Sequence, residues 1–86
     1  MKGRVIVSLR TGVLDVEGKA IGKAIESLGL GPIGDVRVGR VFEVDLGDVP
    51  REDAEARLKE MAQRLLANPV METWRVELLD PSHGAR

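Results

Sequence analysis

The chain contains no cysteine or tyrosine, and it has one histidine, one tryptophan and one phenylalanine among 86 residues. The absence of cysteine excludes disulfides and thiolate metal sites. The single histidine, His83, lies near the C-terminus among Pro, Ser and Gly and has no second imidazole with which to share a metal. A chain of this length buries only about 60–65% of its unfolded surface. We therefore expect self-association to supply the stability that disulfides or metals would otherwise give.

The chain also lacks an excess of either charge and any long hydrophobic run. Its 13 basic and 14 acidic residues are interleaved and give a formal net charge of −1. Nucleic-acid binding needs clustered Lys and Arg in excess, so we expect no nucleic-acid partner. The apolar runs are too short for a signal-peptide core or a membrane span. We therefore expect a cytoplasmic protein that does not contact a membrane.

The first half of the chain predicts a strand followed by a helix. The segment RVIVSLR, residues 4–10, alternates apolar and polar side chains as a strand does. Asp15 then precedes apolar residues at helical spacing and can cap that helix, whereas Gly29 can end it. This apolar face comprises Val16, Ala20, Ile21, Ala24, Ile25 and Leu28. Gly18 and Gly22 should weaken the helix by about 1 kcal/mol each relative to alanine.

The segment GDVRVGRVFEVDL, residues 34–46, predicts two strands joined around Gly39. A three-residue loop at 39–41 would pair Val38 with Phe42 and keep the apolar side chains on one face. A bulge at this point would serve equally well, and a single long strand bent at Gly39 is the alternative.

The second half continues with a helix and a last strand. Pro50 suits the first turn of the helix, which ends at Asn68-Pro69. Its predicted buried stripe is Ala54, Leu58, Met61, Ala62 and Leu65. The last strand is VMETWRVELLD, residues 70–80, with its core-facing positions at Trp74, Val76 and Leu78.

The resulting order is strand, helix, strand, strand, helix, strand, which predicts an α+β, ferredoxin-like fold. Two helices should cover one face of an antiparallel sheet. We expect a single domain over residues 1–80 and a solvated C-terminal tail over 81–86. The other sheet face carries Ile6, Val41 and Leu79 among charges, a mixture that indicates a contact with another chain.

The stretch GLGPIG, residues 29–34, spells the G-x-G-x-x-G pattern of dinucleotide-binding folds. That pattern works where the glycines follow a strand and open a helix, so that helix N–H groups meet the phosphates. Here the order is reversed, and the nearby carbonyl end of the helix repels phosphate. Pro32 also lacks the N–H that a phosphate cradle would use. We interpret the stretch as a helix stop and a turn, with no cofactor bound there.

The sequence offers no constellation for catalysis. A serine nucleophile needs an adjacent base, and the only histidine is His83 in the predicted tail. The acidic residues at the starts of the helices are explained as caps and first-turn charges. Phe42 and Trp74 share the core parity, so they do not form the sheet-surface aromatics of an RNA-recognition module. We expect no catalytic, cofactor-binding or metal-binding residues on this chain.

Arg37 and Arg40, which flank Gly39, are the charges with a functional interpretation. They could contact an anion or a partner at the predicted turn. The alternative is a charged hairpin that discourages edge-to-edge aggregation.

Three segments together resemble the small PurS subunit family of phosphoribosylformylglycinamidine synthase. They are VSLRTGVLDVEGKAI, DVRVGRVFEV and LLANPVMETWRVEL, in the family's order and spacing from about Arg4 to Leu79. Val16 stands where the family usually has proline, and Arg40 where it usually has lysine. The family resemblance points to Asp35, Arg37, Gly39 and Arg40 as partner contacts. It also matches Asn68, Pro69, Glu72 and Trp74, which we interpret as a helix stop and the start of the last strand.

The resemblance implies a non-catalytic subunit of a purine-biosynthetic amidotransferase. A glutaminase subunit would release ammonia, and a large synthetase subunit would use ATP and magnesium to form the amidine. The small subunit, a homodimer or a tetramer, would join the two and support ammonia transfer.

Two other functions stay open at this point. An ACT-type dimeric module has the same strand–helix order and would bind a small amino acid at its dimer interface. A bare oligomerisation domain is the third alternative.

Overall fold

The computed structural model describes residues 1–79, and the predicted solvated tail at 81–86 lies outside them. The chain forms strand β1 (Lys2–Leu9), helix α1 (Val16–Ser27) and strand β2 (Gly39–Asp45). Helix α2 (Arg51–Met61) then runs into a π-helical turn (Ala62–Leu66, the π segment), and strand β3 (Glu72–Leu79) follows. The α+β class and the antiparallel sheet are confirmed.

The sheet has three strands in the order β2-β1-β3, and both outer strands run antiparallel to β1. The register places Val5 between Phe42 and Val76. Because side chains alternate across a sheet, the apolar residues of all three strands share the face toward α2. The predicted core positions on β3, Trp74, Val76 and Leu78, are confirmed as packed against the core.

The core lies between this face and α2. Val5 and Leu58 have no exposed surface, and Val7 is 1% exposed. A Cβ at Gly3 would collide with the Leu58 side chain, so glycine at this position lets α2 approach β1 closely. The other buried apolar residues are small: Ala54, Ala62 and Ala67.

The predicted hairpin around Gly39 is wrong. Residues 31–38 form no strand, and β2 begins at Gly39 opposite Ser8. The reason is that the N–H of Val38 donates to the carboxylate of Asp15 at 2.7 Å instead of entering a strand ladder. Segment 33–38 therefore runs beside α1, and the sheet has one strand fewer than predicted.

Helix α1 begins and ends where predicted, but it makes only sparse contact with the sheet, whereas α2 packs on both β1 and β3. The Cα radius of gyration is 16.2 Å, compared with about 12 Å for a compact domain of this length. In this chain, one helix covers the sheet and the other extends away from it.

The π segment overturns the prediction that Leu65 is buried. The N–H of Ala67 donates to the carbonyl of Ala62, a hydrogen bond that spans five residues and widens the last turn. The wider turn shifts by one residue the helix positions that face the core. Ala67 is buried and Leu66 half-buried, whereas Leu65 is 80% exposed.

The GLGPIG stretch is a helix stop, as predicted. Gly29 has a φ of 76°, the left-handed conformation that favours glycine. Its N–H donates to the carbonyl of Glu26, and the N–H of Leu30 donates to that of Ile25. This pair of hydrogen bonds is the Schellman arrangement, which satisfies the last carbonyls of α1.

The register shift predicts unequal effects for two leucines that lie seven residues apart. Leu58→Ala should lower the free energy of unfolding by about 3 kcal/mol, because it leaves a cavity in the core. Leu65→Ala should change it by less than about 0.5 kcal/mol, because that side chain is mostly in solvent. Urea denaturation at one fixed protein concentration measures both. Equal losses would mean that α2 continues as a regular helix with Leu65 inside.

Candidate subunit interface

Asp15 attaches α1 to the rest of the chain. It is the one buried charged or polar side chain among residues 1–79. One carboxylate oxygen accepts from the N–H of Gly18, capping the helix as predicted, and the other accepts from the N–H of Val38. The N–H groups of Val38 and Gly18 hold the pKa of Asp15 below its ordinary value, against the opposing effect of burial, and the positive charge of Arg37 also lowers it. Both carboxylate oxygens of Asp15 are therefore occupied by backbone hydrogen bonds that stabilise the fold.

Two glycines form the side of α1 that meets segment 33–38. A Cβ at Gly18 would collide with the carbonyl oxygen of Val36. A Cβ at Gly22 would lie 3.6 Å from a Val36 methyl group and 3.8 Å from one of Ile33. The two glycines destabilise the helix, but they allow the backbone of segment 33–38 to approach it closely. The sequence alone indicates only the destabilisation.

The rest of the apolar face of α1 is not covered by any other part of residues 1–79. Val16 is 70% exposed, Leu28 is 73% exposed and Ile21 is 38% exposed. We call this surface the exposed α1 face, and it comprises Val16, Ala20, Ile21, Ala24 and Leu28. Leu14 and Leu30, just outside the two ends of the helix, are 66% and 69% exposed. A concentration of apolar surface on one element is typical of an interface between chains.

The four predicted contact residues lie in different environments. Arg37 donates to the carbonyls of Val13 and Arg10, at 3.1 and 3.2 Å, and so holds the chain before α1. Gly39 starts β2, where a Cβ would lie 2.6 Å from the carbonyl oxygen of Val7. Asp35 is exposed.

Arg40 joins the two family segments that sequence reasoning treated separately. Its guanidinium donates to both carboxylate oxygens of Glu72 at 2.9 Å and to the carbonyl of Leu66 at 3.3 Å. It also lies 5.5 Å from the centre of the Phe42 ring. Glu72 in turn accepts from the N–H of Asn68 at 2.7 Å. These hydrogen bonds are consistent with the interpretation of Asn68, Pro69, Glu72 and Trp74 as a helix stop and the start of the last strand.

The face of the sheet opposite α2, the open face, carries charged side chains that form ion pairs with one another. Arg4 pairs with Glu43 at 3.3 Å, and Arg75 pairs with Glu77 at 2.6 Å. Exposed pairs such as these add about 0–1 kcal/mol of stability each. Val41, 62% exposed, lies among them.

Within residues 1–79, no group of three acidic or imidazole side chains is placed to hold a metal. In the same part of the chain, no helix has the length and hydrophobicity needed to cross a membrane. The two serines in this range, Ser8 and Ser27, are exposed, and neither hydrogen-bonds to a side-chain base.

The attachment of α1 predicts a pH dependence. Asp15→Asn should lower the thermal midpoint at neutral pH, because the amide cannot accept from both N–H groups at once. A depressed folded pKa stabilises the fold above the ordinary value, 3.8, and this stabilisation is lost as pH falls through the folded value. The difference between wild type and variant should therefore be constant from pH 7 to about 5 and shrink below that. Asp35→Asn, at an exposed position, is the matched control, and a difference that persists at low pH would contradict the account.

Comparison with known proteins identifies the family. Residues 2–80 match the family PurS, described as phosphoribosylformylglycinamidine (FGAM) synthase. The chain is 39% identical over 77 residues to the phosphoribosylformylglycinamidine synthase subunit PurS of Bacillus subtilis, which covers 90% of each protein.

Solved structures have the same fold. A crystal structure of Bacillus subtilis PurS superposes with a TM-score of 0.77 at 38% identity, covering 92% of this chain and 98% of that one. A chain of the PurLQS structure from Thermotoga maritima superposes with a TM-score of 0.80 at 28% identity, covering 90% and 95%. The fold, the segments joined by Arg40 and Glu72, and the family match over residues 2–80 lead to one conclusion: this chain belongs to the PurS family of FGAM synthase subunits.

Proposed function

We propose that this chain is the non-catalytic coupling subunit of an FGAM synthase complex. It joins a glutaminase subunit to an ATP-dependent synthetase subunit and supports ammonia transfer between them. The observation that carries the proposal is the contrast between the chain's interior and its surface. The buried carboxylate, Asp15, has both oxygens occupied by backbone N–H groups, whereas a whole face of α1 is apolar and exposed.

The chemistry of ammonia explains why such a complex would use a separate subunit to join its two active sites. Free ammonia in water diffuses away or becomes protonated, so an amidotransferase gains by holding its two active sites together and away from water. A subunit that positions the other two contributes to the rate without touching a reacting atom. ATP and magnesium then belong on the synthetase subunit, and the reaction takes place in the cytoplasm. The PurLQS assembly from Thermotoga maritima supports this role, since one of its chains has this fold.

We further propose that the chain acts as a homodimer in which a second copy covers the exposed α1 face. The apolar residues of that face have no partner within residues 1–79. Stable interfaces bury about 800 Å² per partner, so the twelve-residue helix would contribute to such an interface together with its flanking leucines. A tetramer would need a further contact, for which the open sheet face around Val41 is available. Dimerisation depends on concentration, so dilution of the isolated chain tests it.

Asp35, Arg37, Gly39 and Arg40 remain candidate partner contacts. Arg37 and Arg40 already bind carbonyl groups of their own chain, so their first role is to fix the shape of this region. Asp35 is the acidic member whose side chain is exposed. The ACT-type alternative is not favoured, because the family match extends over residues 2–80.

Reconstitution tests the coupling role. Amidine formation is measured with the glutaminase and synthetase subunits, with and without this chain, using either glutamine or added ammonium as the nitrogen source. The chain should be required with glutamine and dispensable with ammonium, because only the glutamine reaction needs the two sites joined. A requirement for the chain with ammonium as well would assign it a part in the synthetase chemistry. No effect on either reaction would contradict the proposal.

A further inference from the structure

The sheet face that carries α2 is only partly covered by it. Helix α2 packs on β1 and β3 and makes at most sparse contact with β2, the outer strand on the other side of β1. At the centre of this face, Val5 and Val7 are at most 1% exposed. On the β2 side, Phe42, Val44 and Leu46 pack against the core but are only half-buried. We call these three residues the β2 strip.

An amphipathic helix is the element that covers such a strip. The seven residues of β2 span about 23 Å, and the twelve residues of α1 span about 18 Å. The exposed α1 face is apolar, and α1 makes only sparse contact with the sheet of its own chain. Within residues 1–79, the same chain therefore presents a strand without a covering helix and a helix without a sheet.

We propose that two copies exchange α1, so that the exposed α1 face of each copy packs on the β2 strip of the other. The inference rests on the proposed homodimer and names the surface of the second copy that α1 covers. A two-fold axis makes this contact reciprocal, because each copy supplies one helix and receives one. Two helices then cover one sheet face, which is the arrangement that the order strand, helix, strand, strand, helix, strand predicts.

The attachment of α1 directs it away from its own β2 strip. Asp15 accepts from the N–H of Val38, the residue before β2, and Gly18 lies against the carbonyl oxygen of Val36. These contacts fix α1 to the segment that precedes β2 and leave the face of β2 uncovered. The helix is therefore in place to reach another copy.

Burial favours a second copy over a different protein. A different partner that covered the β2 strip would leave the exposed α1 face in water, whereas exchange between copies removes both apolar surfaces from water. Charge does not oppose the contact. Arg40 is the one charged residue of β2 at a position that alternates with Phe42 and Val44, and it is already paired with Glu72. Exchange would therefore bury no unpaired charge of β2.

The absence of cysteine allows a direct test by cross-linking. Ala24→Cys places a thiol on the exposed α1 face, and Val44→Cys places one on the β2 strip. The two variants are mixed, diluted so that copies exchange, concentrated again and treated with a short bis-maleimide. In an equal mixture about half of the dimers contain both variants. A product of twice 9.4 kDa should therefore form several-fold faster than with Ala24→Cys alone.

Val41→Cys is the matched control for Val44→Cys. Val41 lies on the same strand, but its side chain is on the open face and 62% exposed. Mixed with Ala24→Cys, this variant should link no faster than Ala24→Cys alone. Leu46→Cys, also on the β2 strip, gives the same readout if Val44→Cys lowers the thermal midpoint too far for the dimer to form.

The outcomes distinguish the exchange from the homodimer. If the wild type has twice the mass of one chain but the β2-strip variants link no faster than the Val41→Cys control, the exchange is overturned and the homodimer stands. If Ala24→Cys alone links as fast as the mixture, the two α1 helices pack on each other, which also overturns the exchange. If the wild type has the mass of one chain at every concentration, the homodimer itself fails, and the exchange fails with it.

Discussion

Helix α2 packs on the apolar face of the sheet, whereas α1 makes only sparse contact with it. Leu58 packs over Gly3 and Val5, and the rest of the buried core is built from Val7 and three alanines. No part of this core receives α1. A domain of this size has little hydrophobic burial to spare, so the exposed apolar surface of α1 is unfavourable for the isolated chain, and it is the surface that we propose a second copy covers. The proposed coupling role depends on this incomplete burial.

The chain holds α1 in position by polar contacts and close backbone packing. Asp15 ties its first turn to Val38, and Gly18 brings the helix against the carbonyl of Val36. These contacts orient the helix while leaving its apolar face open. In the described chain the buried carboxylate stabilises the fold, and the exposed apolar residues stay available for the partner contact that we propose.

The sequence predicted what depends on local chemistry. Asp15 as a cap, Gly29 as a stop and the core parity of Trp74 follow from neighbouring residues alone, and all three are present. The errors arose from contacts distant in sequence. The parity of Val38 fits a strand, but its N–H donates to the carboxylate of a residue 23 positions earlier. Helical periodicity places Leu65 in the core, because it cannot anticipate a π turn.

The candidate surfaces were less predictable than the fold. The sequence marked Arg37 and Arg40 as conspicuous charges, yet both bind carbonyls of their own chain. The exposed α1 face was visible as a periodic stripe, but such a stripe looks the same whether its own chain or another one covers it. The exposure of Leu65 has no sequence signal, because it depends on the wider turn at Ala62–Leu66.

The most direct test of the account is hydrogen exchange of the isolated chain at decreasing concentration. If a second copy covers α1, amides of Val16–Ser27 should be protected where the mass is twice 9.4 kDa and exchange faster as dilution releases single chains. Amides of β1, inside the sheet, should change much less. Protection of α1 that is independent of concentration, in a protein with the mass of one chain, would contradict the claim that this helix requires a partner.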